Sequence, residues 1–141
     1  MVHGDNNTAV GLGALKEANE AGINRNTAVG HTAATNLTTG ASNTAIGSRA
    51  MTAVVTGDNN TVIGESAGTS ILGGYRNTCI GQAAGDGITT GFNNICLGSA
   101  TDPSAADAEN QFIIGYNFSG NGDNKVSIGS SSGYVWNSYT V

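Results

Sequence analysis

A chain of 141 residues would ordinarily make one domain, but 22 glycines, 11% charged and 6% aromatic residues are a poor recipe for a globular core. The net charge of −5, from 5 Lys+Arg against 10 Asp+Glu, leaves no basic patch and argues against nucleic acid or anionic membrane as partners. There is no apolar run of 18 residues, so no membrane-spanning helix is expected.

The first predicted strand, Thr8 to Val10, ends at Gly11. The same closing glycine returns at Gly30, Gly47, Gly64, Gly81, Gly98, Gly115 and Gly129, in steps of 19, 17, 17, 17, 17, 17 and 14 residues. A fixed period of this length marks a supersecondary unit that buries its apolar side only by stacking on its neighbours. The expected fold is therefore all-β, a parallel β-roll or β-solenoid with a period of about 17 residues over 1–129. Small apolar residues suit a narrow coil completed by other copies of the chain, and hence a homo-oligomer. Residues 130–141 leave the period as a C-terminal tip or transition segment.

In chain order, the segment from Lys16 to Gly22 has the only helix-like composition and accounts for the 19-residue step; at most one or two turns are expected there, too short for a stable helix. Rungs two to six then repeat with little change, from Asn26-Thr27-Ala28-Val29-Gly30 to Asn94-Ile95-Cys96-Leu97-Gly98. A β-branched pair and a glycine precede several of them, as in Val55-Thr56-Gly57, so each period predicts two short strands separated by Gly-rich turns. Residues 101–109, with the only proline and three of the ten acids, predict a surface loop. The pattern resumes through Phe112-Ile113-Ile114 and Val126-Ser127-Ile128.

Alternation gives each strand two faces. The large aliphatic column from Val10 to Ile128, with the Thr column two residues before it, is expected to fill the coil's interior. The opposite column, Ala to Ile in size and never charged, is then left to line the axis of a homo-oligomer: Ala9, Ala28, Ala45, Val62, Cys79, Cys96 and Ile113. Cys79 and Cys96 stand one period apart, where parallel side chains point the same way and rarely meet disulfide geometry, so two free buried thiols are expected. The recurring Asn before each strand predicts stacked amides that hydrogen-bond from rung to rung.

Asn124-Lys125-Val126-Ser127-Ile128-Gly129 and Asn6-Asn7-Thr8-Ala9-Val10-Gly11 resemble the head repeats of YadA-like trimeric adhesins, which form parallel β-rolls, three about a fibre axis. The longer unit here, with Asn-Thr-Ala-Ile-Gly and a Thr-Thr-Gly closing it, is similar to repeats of bacteriophage tail fibres. The resemblance implies a non-enzymatic, trimeric tail-fibre segment that presents a host-surface receptor-binding end. It also implies assembly in the host cytoplasm, residence in the virion, and other fibre domains or a cleaved C-terminal chaperone as partners. A bacterial surface adhesin head is the alternative. An ice-binding solenoid is a third reading, disfavoured while the Thr column is assigned inward.

No catalytic, cofactor or metal site is expected. His3 and His31 lack ligands at zinc spacing, and Asp5, Asp58 and Asp123 precede Asn in turns that need no ion. The acids show no pair flanking a groove, so enzymatic hydrolysis is not expected either. Tyr75 and Phe92, one period apart, are expected to stack on the outer edge. With Tyr116, Phe118, Tyr134, Trp136 and Tyr139 they are the candidates for contact with a host cell-surface glycan or protein.

Overall fold

A computed structural model of the chain describes residues 6–18, 24–53 and 55–138, the side chains of 134–138 excepted. It is an all-β parallel solenoid of about seven turns with a period near 17 residues, and no helix occurs among the described residues. The strands are β1 (Thr8–Val10), β2 (Thr27–Val29), β3 (Thr44–Ile46), β4 (Thr61–Ile63), β5 (Thr78–Ile80), β6 (Ile95–Leu97), β7 (Thr101–Asp102), β8 (Phe112–Tyr116), β9 (Phe118–Ser119), β10 (Val126–Ser130) and β11 (Gly133–Ser138). All but β7 and β9 join one nine-stranded sheet, parallel and in chain order until β11 turns back antiparallel on β10. Register follows the repeat: Thr27 pairs with Thr44, Ala28 with Ala45 and Val29 with Ile46.

Three expectations change in detail. The segment from Lys16 to Gly22 has no helix in its described part: 12–17 is a turn, Ala18 is buried, and 19–23 lie outside the described residues. The second strand of each period shrinks to isolated bridges, Leu37 to Val55 and Phe92 to Glu109, although bonds such as Leu72 N–H to the Thr89 carbonyl (2.9 Å) still run between coils. The segment 101–109 is not simply a surface loop, because Thr101–Asp102 pairs in register with Phe118–Ser119 and Thr101, Pro103 and Ala108 are buried. Only 104–107 stand exposed.

The corners of each coil are left-handed. One row of such residues runs through Arg25, Ser42, Asn59, Arg76, Asn93 and Asn110, and another through Thr32, Arg49, Ser66, Ala83 and Ala100, all with φ between 52° and 61°. Non-glycine residues pay about 1–2 kcal/mol each for this conformation, so stacking must hold them there. Where the strand ends, the closing glycines leave no alternative. A Cβ on Gly30 or Gly47 would run into the carbonyl of the glycine one coil further on, and φ there is 141° and 133°.

The two faces of the strand are the reverse of those expected. Ala28, Ala45, Val62, Cys79, Cys96 and Ile113 are 0–1% exposed and lie inside the coil, so they cannot line an axis between chains; Ala9 is exposed, on the first described strand. The Thr and aliphatic columns point outward instead. The physical reason is width. One coil encloses only a thin slab, filled by the small column from one side and by Leu37, Val55, Ile71 and Ile88 from the other.

Volume balances within each coil. Where the small column holds Ala28 or Ala45, the left-handed corner holds Ala34 or Met51; where it holds Val62 or Cys79, the corner holds Gly68 or Gly85. A Cβ on Gly68 would come within 2.9 Å of Ile71 Cδ1 and 3.1 Å of Val62 Cγ1. The growth of the small column toward the C-terminus is thus absorbed inside the coil.

A ladder of buried amides flanks this core. The Asn43 side-chain oxygen accepts the Asn60 backbone N–H (2.9 Å), Asn60 accepts that of Asn77 (3.0 Å), and Asn77 accepts that of Asn94 (3.0 Å). Each Nδ2 in turn donates to a turn carbonyl 14 residues on, Asn60 to Gly74 and Asn77 to Gly91, both at 2.8 Å. Gln111 ends the series, accepted by Asn94 through its N–H (3.1 Å) while its longer amide turns to Ser104 and Asp123.

Candidate functional site

The outward face of the nine-stranded sheet is a surface that each repeat extends by one strand. Because residues alternate, every strand from β1 to β10 in the main ladder sends its first and third side chains outward, and parallel in-register pairing stacks them into two straight columns. One column reads Thr8, Thr27, Thr44, Thr61, Thr78, Ile95, Phe112 and Val126; the other is Val, Ile or Leu throughout. None carries a charge. Val10, Ile46 and Ile80 are 56%, 37% and 40% exposed, which is unusual for large aliphatics unless another surface covers them. The rim beyond the strand ends is polar, with His31, Glu65 and Gln82 exposed and Arg49 3.5 Å from Glu65.

The aromatic candidates do not form one patch. Tyr75 and Phe92 stack on the opposite rim from Tyr116, with ring centroids 4.9 Å apart and planes 1° from parallel, and the Arg76 guanidinium lies 5.6 Å from the Tyr75 centroid. Stacking was legible from their one-period spacing. It also engages one face of each ring that a sugar would otherwise use. Tyr116 is 65% exposed and shares the outward face with Phe112 and Ile114. Phe118 is a correction: at 7% exposure it belongs to the core, its ring lying over Gly129, and it is unavailable to a receptor. Tyr134 and Trp136 fall in β11 and Tyr139 beyond it, their side chains outside the described residues.

The acids mostly brace turns. Asp58 accepts the Ala41 N–H (2.7 Å) and Asp123 accepts the Glu109 N–H (2.9 Å), each tying one coil to another. One pair of carboxylates escaped the sequence reading because its members are 16 residues apart, off the period. Asp102 accepts the Gly87 N–H (2.9 Å) and faces Asp86. Burial first, and Asp86 second, push the Asp102 carboxyl up to about 6, against the opposing pull of the Gly87 N–H. Cys79 and Cys96 are free and buried, and the neighbouring Cys79 sulfur together with burial pushes the Cys96 thiol far up.

Among the described residues no three His, Cys, Asp or Glu side chains gather as metal ligands, and no helix is long and apolar enough to cross a membrane. Comparison with protein-family models, curated proteins and solved structures found no match to the chain.

Proposed function

We propose that the chain is a non-enzymatic segment of a homotrimeric fibre, of the bacteriophage tail-fibre kind, that helps present a host-surface binding end. The observation supporting it is the outward sheet face: two uncharged columns of Thr and aliphatic side chains, half-buried on most rungs, exposed at Thr8, Val10, Ile46 and Ile80, and edged by polar residues. That is the anatomy of an interface, apolar at the centre and polar at the rim. A partner that matches a surface repeating every ~4.8 Å rung for rung repeats at that spacing itself, and another copy of the same chain does. The number three rests on the resemblance of the repeats to trimeric fibres and adhesin heads. In this reading the host glycan or protein, further fibre domains and a downstream chaperone are the partners, and the virion is the site of action.

Light scattering on the purified chain at micromolar concentration tests it, with a three-chain mass expected. Replacing Ile46 and Ile80 by Lys should return the chain to a folded monomer, since charge at the centre of the face opposes close packing. A monomeric parent would overturn the reading. Binding of the intact assembly on a glycan array tests the receptor role.

The outward position of Thr8, Thr27, Thr44, Thr61 and Thr78 revives a second reading, an ice-binding face. Replacement of Thr by Ile95, Phe112 and Val126 in later rungs favours a protein partner over a water lattice. A thermal-hysteresis measurement separates the two.

A further inference from the structure

The outward face is uniform only in its first part. In β1 to β5 every rung reads Thr-x-Val or Thr-x-Ile, so sliding one copy along another by a single coil, 17 residues and ~4.8 Å, sets like against like and sacrifices one rung of contact. Five such rungs cannot distinguish neighbouring registers. The last three rungs differ from these and from one another: Ile95 with Leu97, Phe112 with Ile114, Val126 with Ile128. They are apolar in both columns, and Phe112 brings the only ring into the Thr column.

We propose that these three rungs form the clamp that fixes register and supplies most of the affinity when copies of this chain associate. The proposal rests on self-association through the sheet face and deepens it. All six outward side chains of these rungs are half-buried in the free chain, as are Thr27, Thr44, Thr61 and Thr78, so the difference lies in chemistry: the Thr hydroxyls keep their water and gain little on burial, whereas the surface left on an aliphatic or aromatic side chain is apolar throughout. Slippage by one coil would set Phe112 against smaller neighbours and leave Val126 and Ile128 without their counterparts. The clamp also sits next to β11, which pairs antiparallel to β10, so the register is set at the C-terminal end of the ladder.

The test compares two triple variants of the full chain with the parent by sedimentation equilibrium. The clamp variant is Ile95→Thr, Phe112→Thr and Val126→Thr; the matched variant, Val29→Thr, Ile46→Thr and Ile63→Thr, removes similar side chains from early rungs. Circular dichroism checks the fold of each, and if a triple variant fails to fold, Phe112→Thr and Ile46→Thr replace the pair. The clamp variant should lose about 100-fold or more in affinity, or give a mixture of masses, while the matched variant keeps a single mass with a loss of about 10-fold or less. Equal effects, or a larger effect from the matched set, overturn the clamp and leave association standing. A monomeric parent, or two variants that associate like the parent, overturns the clamp together with the reading on which it rests.

Discussion

Replacing Asn60 by Ala removes one link from the middle of the buried amide ladder. Its side chain accepts the Asn77 N–H (3.0 Å) and donates to the Gly74 carbonyl (2.8 Å), and both of those groups sit in buried residues. The Asn77 Nδ2 keeps its bond to Gly91 (2.8 Å) and the Asn43 oxygen keeps the Asn60 backbone N–H (2.9 Å), so two groups, not four, are orphaned. At about 1–3 kcal/mol for each buried unsatisfied group, with a small cavity added, the expected loss is about 3–6 kcal/mol. That is a large share of the 5–15 kcal/mol of a typical domain. Urea unfolding followed by circular dichroism reads it directly. Asn60→Asp adds a second readout, because an ionised carboxylate would face the Gly74 carbonyl and the Asn43 oxygen, so the deficit should shrink on acidification as the new acid regains a proton to donate. The row Asn93, Asn110 and Asn124, linked at 3.1 and 3.0 Å nearer the surface, is the control: Asn93→Ser, a residue that the same left-handed row holds at Ser42, should cost about 1 kcal/mol or less, since water replaces the lost partner. A loss below about 1 kcal/mol for Asn60→Ala would refute the ladder as a stabilising element.

Gly68→Ala should destabilise by about 1–3 kcal/mol through contact with Ile71 and Val62, and adding Val62→Ala should recover part of it, measurable as a coupling energy in a double-mutant cycle of melts. Cys79 and Cys96 should be recovered as two alkylatable thiols after non-reducing denaturation and should react slowly in the native protein; a quantitative crosslink between them would contradict the geometry. The Asp102 carboxyl, pushed up to about 6 from an ordinary 3.8, gives stability that is fully present below about 3.8 and lost as pH rises through about 6. Since Asp102 is half-exposed, solvent screening reduces the effect to roughly 1 kcal/mol, and Asp102→Asn should flatten stability over this interval.

The period, the stacked glycines, the amide ladder and the Tyr75 to Phe92 stack were legible because each is a strictly local residue repeated at fixed spacing. The assignment of faces was not, because alternation defines two faces without saying which is inside. Size misled: large aliphatics suit a wide core, but a single coil has room for Ala28 against Leu37, not for Ile against Leu. Chemistry held the better clue. Five Thr hydroxyls in a dry interior would each need a partner, which favours the outward side. The opposed changes at Val62 with Gly68, against Ala45 with Met51, carried the same message, but only to a reader who knew that those positions touch. Phe118 and the Asp86 to Asp102 pair depend on the shorter final coils and the β7 to β9 pairing, where the period no longer predicts neighbours.

Stacking of equivalent coils also makes the solenoid a ruler graduated in units of about 17 residues. Each unit advances the sheet by one strand spacing, ~4.8 Å, or ~0.3 Å per residue, against 1.5 Å in an α-helix. Length therefore changes in steps, and a step is tolerated only where the seam joins coils of matching cross-section. Excising 65–81 would join Gly64 to Gln82 and set Val62 over Gly85 and Ile88, the same combination as Val62 over Gly68 and Ile71, with Asn94 stacking on Asn60 in place of Asn77. Excising 48–64 would instead set Ala45 over Gly68 and open a void. Loss or gain of whole coils is thus confined to particular seams, and the span between whatever lies at either end of the ladder is adjustable one graduation at a time.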